Sequence, residues 1–250
     1  MKNLLFTSTL FLIFNFSFAQ TKTDLTKAGL KGKVSFISSS EFSLVEKFGE
    51  IEKGSLSSKH TDKYDAKGNQ IEWNIYNADG SLISKHTYKN DAKGNQIEWN
   101  VYNADGSLSS KETYKYIAKG NEIEKNTYDA DGSLRSKETY KYDEKGNEIE
   151  ENYLYYSDHS MDHKFTYKYD AKGNMIEVNY LYYDEPPFSY KNKYDEKGNM
   201  IERNIYNDSG RFRSKYTYKY EFDTMGNWIK KTTITDGKPT ELSERVIKYY

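Results

Sequence analysis

A cassette of about 26 residues is written roughly seven times along this chain, and three successive copies read YDAKGNQIEWNIYNADGSLISKHTYK, NDAKGNQIEWNVYNADGSLSSKETYK and YIAKGNEIEKNTYDADGSLRSKETYK. Self-similarity at a fixed period means that one supersecondary unit has been duplicated, so the fold of the unit decides the architecture. Each copy holds two glycine-marked phrases, DAKGN (65–69) and NADGS (77–81), joined by short alternating segments. The first class of glycine falls at 68, 94, 120, 146, 173, 198 and 226, and the second at 80, 106, 132, 210 and 237. In both phrases Asp or Asn opens, two residues tolerate the right-handed turn region, and Gly takes the left-handed position. That is a type I turn with a G1 bulge, the connection of a β-hairpin. Two strands per cassette predict an all-β fold, a repetitive antiparallel β-meander of about 16 short strands.

Turn chemistry also sets an expected register. Closing Asn77 on Ser81 and Asp91 on Asn95 puts Glu72 opposite His86, and His86 opposite Asn100, whereas one repeat beyond Glu72 stands Glu98. The pairing therefore slips one residue per strand, a stagger that tilts strands by roughly 36° in closed barrels. A twisted, curved or spiral sheet is expected. Alternation groups Ile71, Trp73, Ile75, Ile83, Lys85 and Thr87 on one face, against Glu72, Asn74, Tyr76, Leu82, Ser84, His86 and Tyr88 on the other. Ile recurs three residues after every first-class glycine, which reads as a packing row. Two residues further, the series Trp73, Trp99, Lys125, Glu151, Val178, Arg203 and Lys231 varies freely and reads as an exposed row. On this reading Ile149→Ala costs about 2 to 5 kcal/mol and Lys125→Ala less than about 0.5. The recurring Glu72 and Asn74 positions read as cross-strand partners of Lys, Ser and Tyr.

Ahead of the repeats, Lys2, the apolar run Leu4 to Phe18 and Ser17-Phe18-Ala19 predict a secretory signal peptide over 1–19. The expected organisation is then a polar segment 20–33, a tail or short helix, and one β-repeat domain 34–250. Its core repeats span 60–227 and a capping hairpin spans 227–250. The product is expected to be exported, with a periplasmic, cell-surface or extracellular address and no membrane-spanning segment after signal removal. The chain has no Cys, which removes disulfides and thiolate metal sites. Its net charge of −1 offers no long-range field for nucleic acid. With 25 Tyr among 250 residues, tyrosine replaces aliphatics as the packing residue.

The phrase TYKYDEKGN (139–147) resembles the YD repeats of the Rhs family, and the resemblance extends over most of 60–227. It implies an exported or surface β-rich scaffold, often carbohydrate-associated. The chain departs from the family in its longer repeat with GNxIExN, in having too few copies to form a shell and in lacking a separate effector domain.

Copies four and five replace the NADGS turn with YYSDHSMDH (155–163) and YYDEPPF (182–188). Such departures in repeat proteins map to exposed loops, where function concentrates. They make Tyr155, Tyr156, Tyr182 and Tyr183 a candidate aromatic patch. Trp73 and Trp99 occupy equivalent positions of adjacent hairpins, about 10 Å apart across two strand spacings with Thr87 and Lys85 between. Such a pair could stack two sugar rings, or simply cover the lysine stem. His159 and His163, with Asp158 and Asp162, have a spacing open to a divalent metal such as zinc, and a solvated polar turn explains it better. No GxSxG elbow, Cys nucleophile, HExxH or phosphate loop is present. Carboxylates recur in every copy, as a scaffold requires. The expectation is a non-enzymatic, cofactor-free β-repeat scaffold of the cell envelope or surface, its partner an unknown envelope component such as a glycan. The alternative is a carbohydrate- or envelope-polymer-binding module using aromatic residues on one sheet face.

Overall fold

The computed structural model describes residues 23–118, 120–156, 162–182 and 186–250. The signal peptide, His159, Asp158 and Tyr183 lie outside the described residues. A short helix α1 (Asp24–Lys27) precedes sixteen strands: β1 (Val34–Lys47), β2 (Glu50–Tyr64), β3 (Gln70–Tyr76), β4 (Leu82–Asn90), β5 (Gln96–Asn103), β6 (Leu108–Tyr116), β7 (Glu122–Asp129), β8 (Leu134–Tyr142), β9 (Glu148–Tyr155), β10 (His163–Tyr169), β11 (Met175–Tyr182), β12 (Phe188–Tyr194), β13 (Met200–Tyr206), β14 (Phe212–Phe222), β15 (Trp228–Thr235) and β16 (Lys238–Tyr249).

Both turn phrases form the hairpin connection that their chemistry dictates. Asp65 N–H donates to Asn69 C=O at 2.9 Å, Gly68 N–H donates to Asp65 C=O at 2.9 Å, and Gly68 sits at φ +91°. Asp favours the first position because Asp65 Oδ1 accepts both Lys67 N–H and Asn69 N–H at 2.9 Å, while Asn69 Nδ2 donates to Oδ2 at 3.0 Å; Ile117 closes the same backbone turn without that support. In NADGS, Asp79 Oδ1 accepts Ser81 N–H at 2.9 Å and the Ser81 hydroxyl at 2.6 Å. Every strand pairs antiparallel with its sequence neighbour.

An open or spiral sheet is overturned by one contact set: β1 pairs with β16, Ile37 opposite Ile247 and Phe42 opposite Leu242, and the sheet closes into a barrel. The residues that close it lie outside the repeats, so the repeat pattern carries no signal of closure. Glu72 faces Thr87 and Thr87 faces Asn100, so the expected slip of two residues per hairpin holds. At that stagger, a circular barrel of sixteen strands has a backbone radius of about 15 Å. The first hairpin is longer than the rest. Beyond Leu56 the β2 strand has left β3, and its tip carries Phe48 and Ile51 into solvent.

The register differs by one from the expectation because a second bulge sits beside the DAKGN- and NADGS-type turns. Tyr64 faces Gln70 while Lys63 faces Glu72, and Tyr76 faces Leu82 while Ile75 faces Ser84. One extra residue reverses the alternation beyond it. Ile71 is thereby separated from Trp73 and left exposed, as are Ile97, Ile123, Ile149 and Ile201. The expected isoleucine packing row is corrected accordingly. Across the bulge beside the second turn, Trp73 and Ile75 share a face with Ser84, His86 and Tyr88, whereas Glu72 and Asn74 share theirs with Lys85 and Thr87.

The Glu72 face is the outside. Glu72 is bridged by Lys63 from β2 at 2.6 Å and Lys85 from β4 at 3.1 Å, and it accepts Asn74 Nδ2 at 2.9 Å. The same triad repeats at Glu98, Glu124, Glu150 and Glu202. The Trp73 face is the inside. The compact apolar cluster is small: Leu25, Val34, Ile37 and Tyr64, with Leu30 and Ile247 against it. It fastens α1 and residues 28–33 over one barrel mouth, where Leu25 N–H donates to Gly68 C=O at 3.1 Å and Asp24 Oδ2 accepts Gln70 N–H at 2.9 Å.

Candidate functional site

The inner wall is an aromatic surface with charges set into it. On β2–β5 the rings run His60, Trp73, His86, Trp99, Tyr88, with centroid separations of 6.2, 4.4, 5.4 and 5.8 Å in that order. Trp73 and Trp99 are therefore not an open pair flanked by Lys85 and Thr87, which lie outside. His86 stands between them, because β4 projects residue 86 inward once the bulge is counted. Trp99 Nε1–H donates to His86 Nδ1 at 3.0 Å, and His86 Nε2 lies 2.9 Å from the Ser84 hydroxyl. An accepting Nδ1 makes the imidazole neutral, and burial pushes its pKa down to about 4.

A second aromatic group covers β9–β12. His163 stacks on Tyr153 at 4.6 Å and lies 6.5 Å from Tyr155 and 5.5 Å from Tyr182; Tyr180 stacks on Phe188 at 4.3 Å. The expected patch is thus assembled from Tyr155 and Tyr182 inside the barrel. Tyr156 is 52% exposed and turned away from that group. Asp162 Oδ1 accepts Tyr155 N–H at 2.6 Å. Among the described residues, no group of three or more His, Cys, Asp or Glu is arranged to hold a metal.

Between the two aromatic groups, β6–β9 bring five carboxyls and one lysine to the inner wall. Lys125 Nζ lies 2.6 Å from Glu138 Oε2, with the two side chains 21% and 4% exposed. Lys125 belongs to the row expected to be exposed, and the bulges turn that row inward. The hydroxyls of Tyr114, Tyr140 and Tyr167 donate to Glu112, Glu138 and Glu151 at 2.6, 2.8 and 2.7 Å. Burial would lower the Lys125 pKa, but Glu138 and Glu112 outweigh it and hold the ammonium above its ordinary value. Burial pushes Glu122 and Glu148 up to about 7, with Lys125 opposing the shift at Glu122 and the neighbouring Glu151 reinforcing it at Glu148. Burial raises Glu112 and Glu151 as well. At β15–β16 the Arg245 guanidinium lies 3.4 Å over the Trp228 ring. α1 reaches over the same mouth: Asp24 acts on Tyr64, Tyr88 and Tyr116, and Lys27 acts on Glu122.

Sequence reasoning missed His86, Glu122, Lys125, Glu138, Glu148 and Glu151. A signal was present: Glu122 and Glu148 stand where other copies carry Gln70, Gln96, Met175 and Met200, and Lys125 and Glu151 stand where others carry Trp. Copies three and four are the ones charged at both of these inward positions.

The chain matches no known family model, so no family match supports the YD-repeat resemblance, and it matches no curated protein. Among solved structures, a porin-like protein from Bacteroides uniformis superposes with a TM-score of 0.55 at 12% identity, over 87% of this chain and 98% of that one. A porin-like protein from Bacteroides vulgatus gives 0.51 at 12% identity, over 87% and 99%. The Photorhabdus luminescens Tc holotoxin pore, at 0.37 and 13% identity over 72% of this chain and 11% of that one, falls too low to bear on the fold. What the two porin-like proteins share with this chain is the architecture of a closed antiparallel barrel.

Proposed function

We propose that this chain is an exported, non-enzymatic β-barrel of the cell envelope that stands in water and receives a neutral glycan in its interior. The observation that carries the reading is the division between the two faces. Inside, half-buried Trp73, Trp99, Tyr155 and Tyr182 keep accessible surface beside carboxylates and hydroxyls. Flat apolar rings with polar groups between them are what a sugar's C–H faces and hydroxyls require. Outside, lysines and glutamates occupy the middle of the strands. A bilayer-facing lysine costs about 2 to 4 kcal/mol near the midplane, and the recurring triads multiply that cost beyond what folding could offset. The likeness to porin-like proteins supports the barrel and is compatible with an envelope address. It is the charged outer rows that argue for a barrel outside the hydrocarbon core.

The test is Trp fluorescence of the purified protein, prepared without detergent and titrated with neutral oligosaccharides. The control is the double variant Trp73→Phe/Trp99→Phe. A saturable change lost in the variant supports an interior site. No response to any sugar overturns the binding reading and leaves the scaffold role, and a requirement for detergent overturns the water-standing barrel.

A further inference from the structure

The near-zero net charge of the chain hides a separation that only the closed barrel reveals. Six outward glutamates, from Glu72 to Glu202, take two lysines each, one from either flanking strand, so lysines outnumber glutamates twelve to six on this belt. Balancing acids lie elsewhere: Glu112, Glu122, Glu138, Glu148 and Glu151 face inward, and Asp79, Asp105 and Asp131 sit in the turns at one rim. We infer that the outer wall is a docking surface for a linear polysaccharide carrying about one carboxylate or sulfate per disaccharide.

Three properties of the belt argue for that partner. First, the lysines are available: Lys89, Lys115, Lys141 and Lys168 are 64–66% exposed. With two-thirds of each side chain open to solvent, the ammonium keeps donors free for a second anion while its glutamate stays bound. Second, the spacing is regular. Equivalent residues lie two strands and two residues apart, about 12 Å, and because the slip matches the strand tilt they fall at one height on the barrel. Each step carries one net positive charge over a length comparable to one disaccharide of an extended chain. Nucleic acid is far denser, with a charge every 3.4 Å of axis per strand. Third, Tyr76, Tyr102, Tyr128 and Tyr206 recur on the same outward face, offering ring surfaces beside the cations. The positive field is felt by the belt's own acids: paired lysines hold Glu98, Glu124, Glu150 and Glu202 down at about 2.

This docking surface is independent of the interior site, and its test uses different probes and residues. Labelled hyaluronate, which has one carboxylate per disaccharide, is titrated by fluorescence anisotropy against the full purified chain, with neutral dextran and single-stranded DNA in parallel. Binding is expected at about 20 mM salt and should weaken as salt rises towards about 150 mM, where exposed charges more than about 8 Å apart are largely screened. The variant Lys89→Gln/Lys115→Gln/Lys141→Gln/Lys168→Gln is expected to weaken hyaluronate binding at least about tenfold. Lys67→Gln/Lys93→Gln/Lys145→Gln/Lys172→Gln, an equal charge change at the turns, should alter it less than about twofold. Absence of hyaluronate binding at low salt, equal losses in the two variants, or tighter binding of DNA would each overturn the proposal. Should the belt variant fail to fold, the salt slope of the unaltered chain, with dextran as reference, decides alone.

Discussion

Glu122→Gln isolates the cost of the acidic inner wall. Burial first, then the neighbouring Glu138, raise the Glu122 carboxyl from 4.5 to about 7, and Lys125 only partly opposes them. The folded barrel therefore binds a proton that the unfolded chain has already released in that interval. A raised carboxyl contributes its stability fully below the unfolded pKa of 4.5 and loses it as pH rises through 7. At about 1.4 kcal/mol per unit, the loss from Glu122 amounts to about 3 kcal/mol by pH 8. Gln has the shape of the neutral acid and cannot ionise. The variant should match the unaltered protein in urea melts at pH 4 and exceed it by up to about 3 kcal/mol at pH 8, with Trp fluorescence and circular dichroism reporting the same transition. Glu148, raised to about 7 by the same cause, keeps its own share of the pH dependence in the variant. Parallel stability profiles for the two proteins across pH 4 to 8 would refute the reasoning, because they would mean that Glu122 ionises freely in the folded state.

Three further substitutions examine the reassigned faces. Ile149, 38% exposed, should lose less than about 1 kcal/mol on replacement by Ala, whereas Val178→Ala, at a fully buried inward position, should cost about 1.5 to 3 kcal/mol in the same urea melts. Lys125→Ala should cost about 3 to 5 kcal/mol at pH 7.5, since it leaves Glu138 and Glu112 without their cation; a loss below about 1 kcal/mol would put Lys125 back in solvent.

What the sequence discloses here is local. DAKGN and NADGS each contain the carboxylate, the left-handed glycine and the closing polar residue that build the turn, so hairpins, strand count and slip are all legible. The additional bulges at Ile71 and Ile83 carry no glycine mark, and missing one of them exchanges every later side chain between faces. Closure depends on Val34 to Ser43 meeting Glu241 to Tyr249, two segments without repeat identity. The inside and outside were harder still, because the usual rule is inverted. The outward Glu, Asn and Lys recur almost unchanged because each triad needs its neighbours' partners. The inward positions vary from Trp to Lys to Glu because each stretch of the inner wall packs against its own neighbours, rings beside Trp73 and Trp99 and carboxyls beside Lys125. Tyr155 and Tyr182 both stand within 6.5 Å of His163, and the register that sets Lys125 beside Glu138 has no mark in the sequence.

The slip of two residues per hairpin has a consequence for how such a chain can change. Tilt in a barrel follows from the ratio of stagger to strand number, and each 26-residue unit adds to both in the same proportion. Gain or loss of a whole unit therefore leaves the inclination of every strand, the bulges and the turns as they were. Only the girth changes, by about 12 Å of circumference or 4 Å of diameter per unit. Unequal recombination between near-identical copies would then act as a gauge, producing wider or narrower vessels without redesigning a single contact inside the unit.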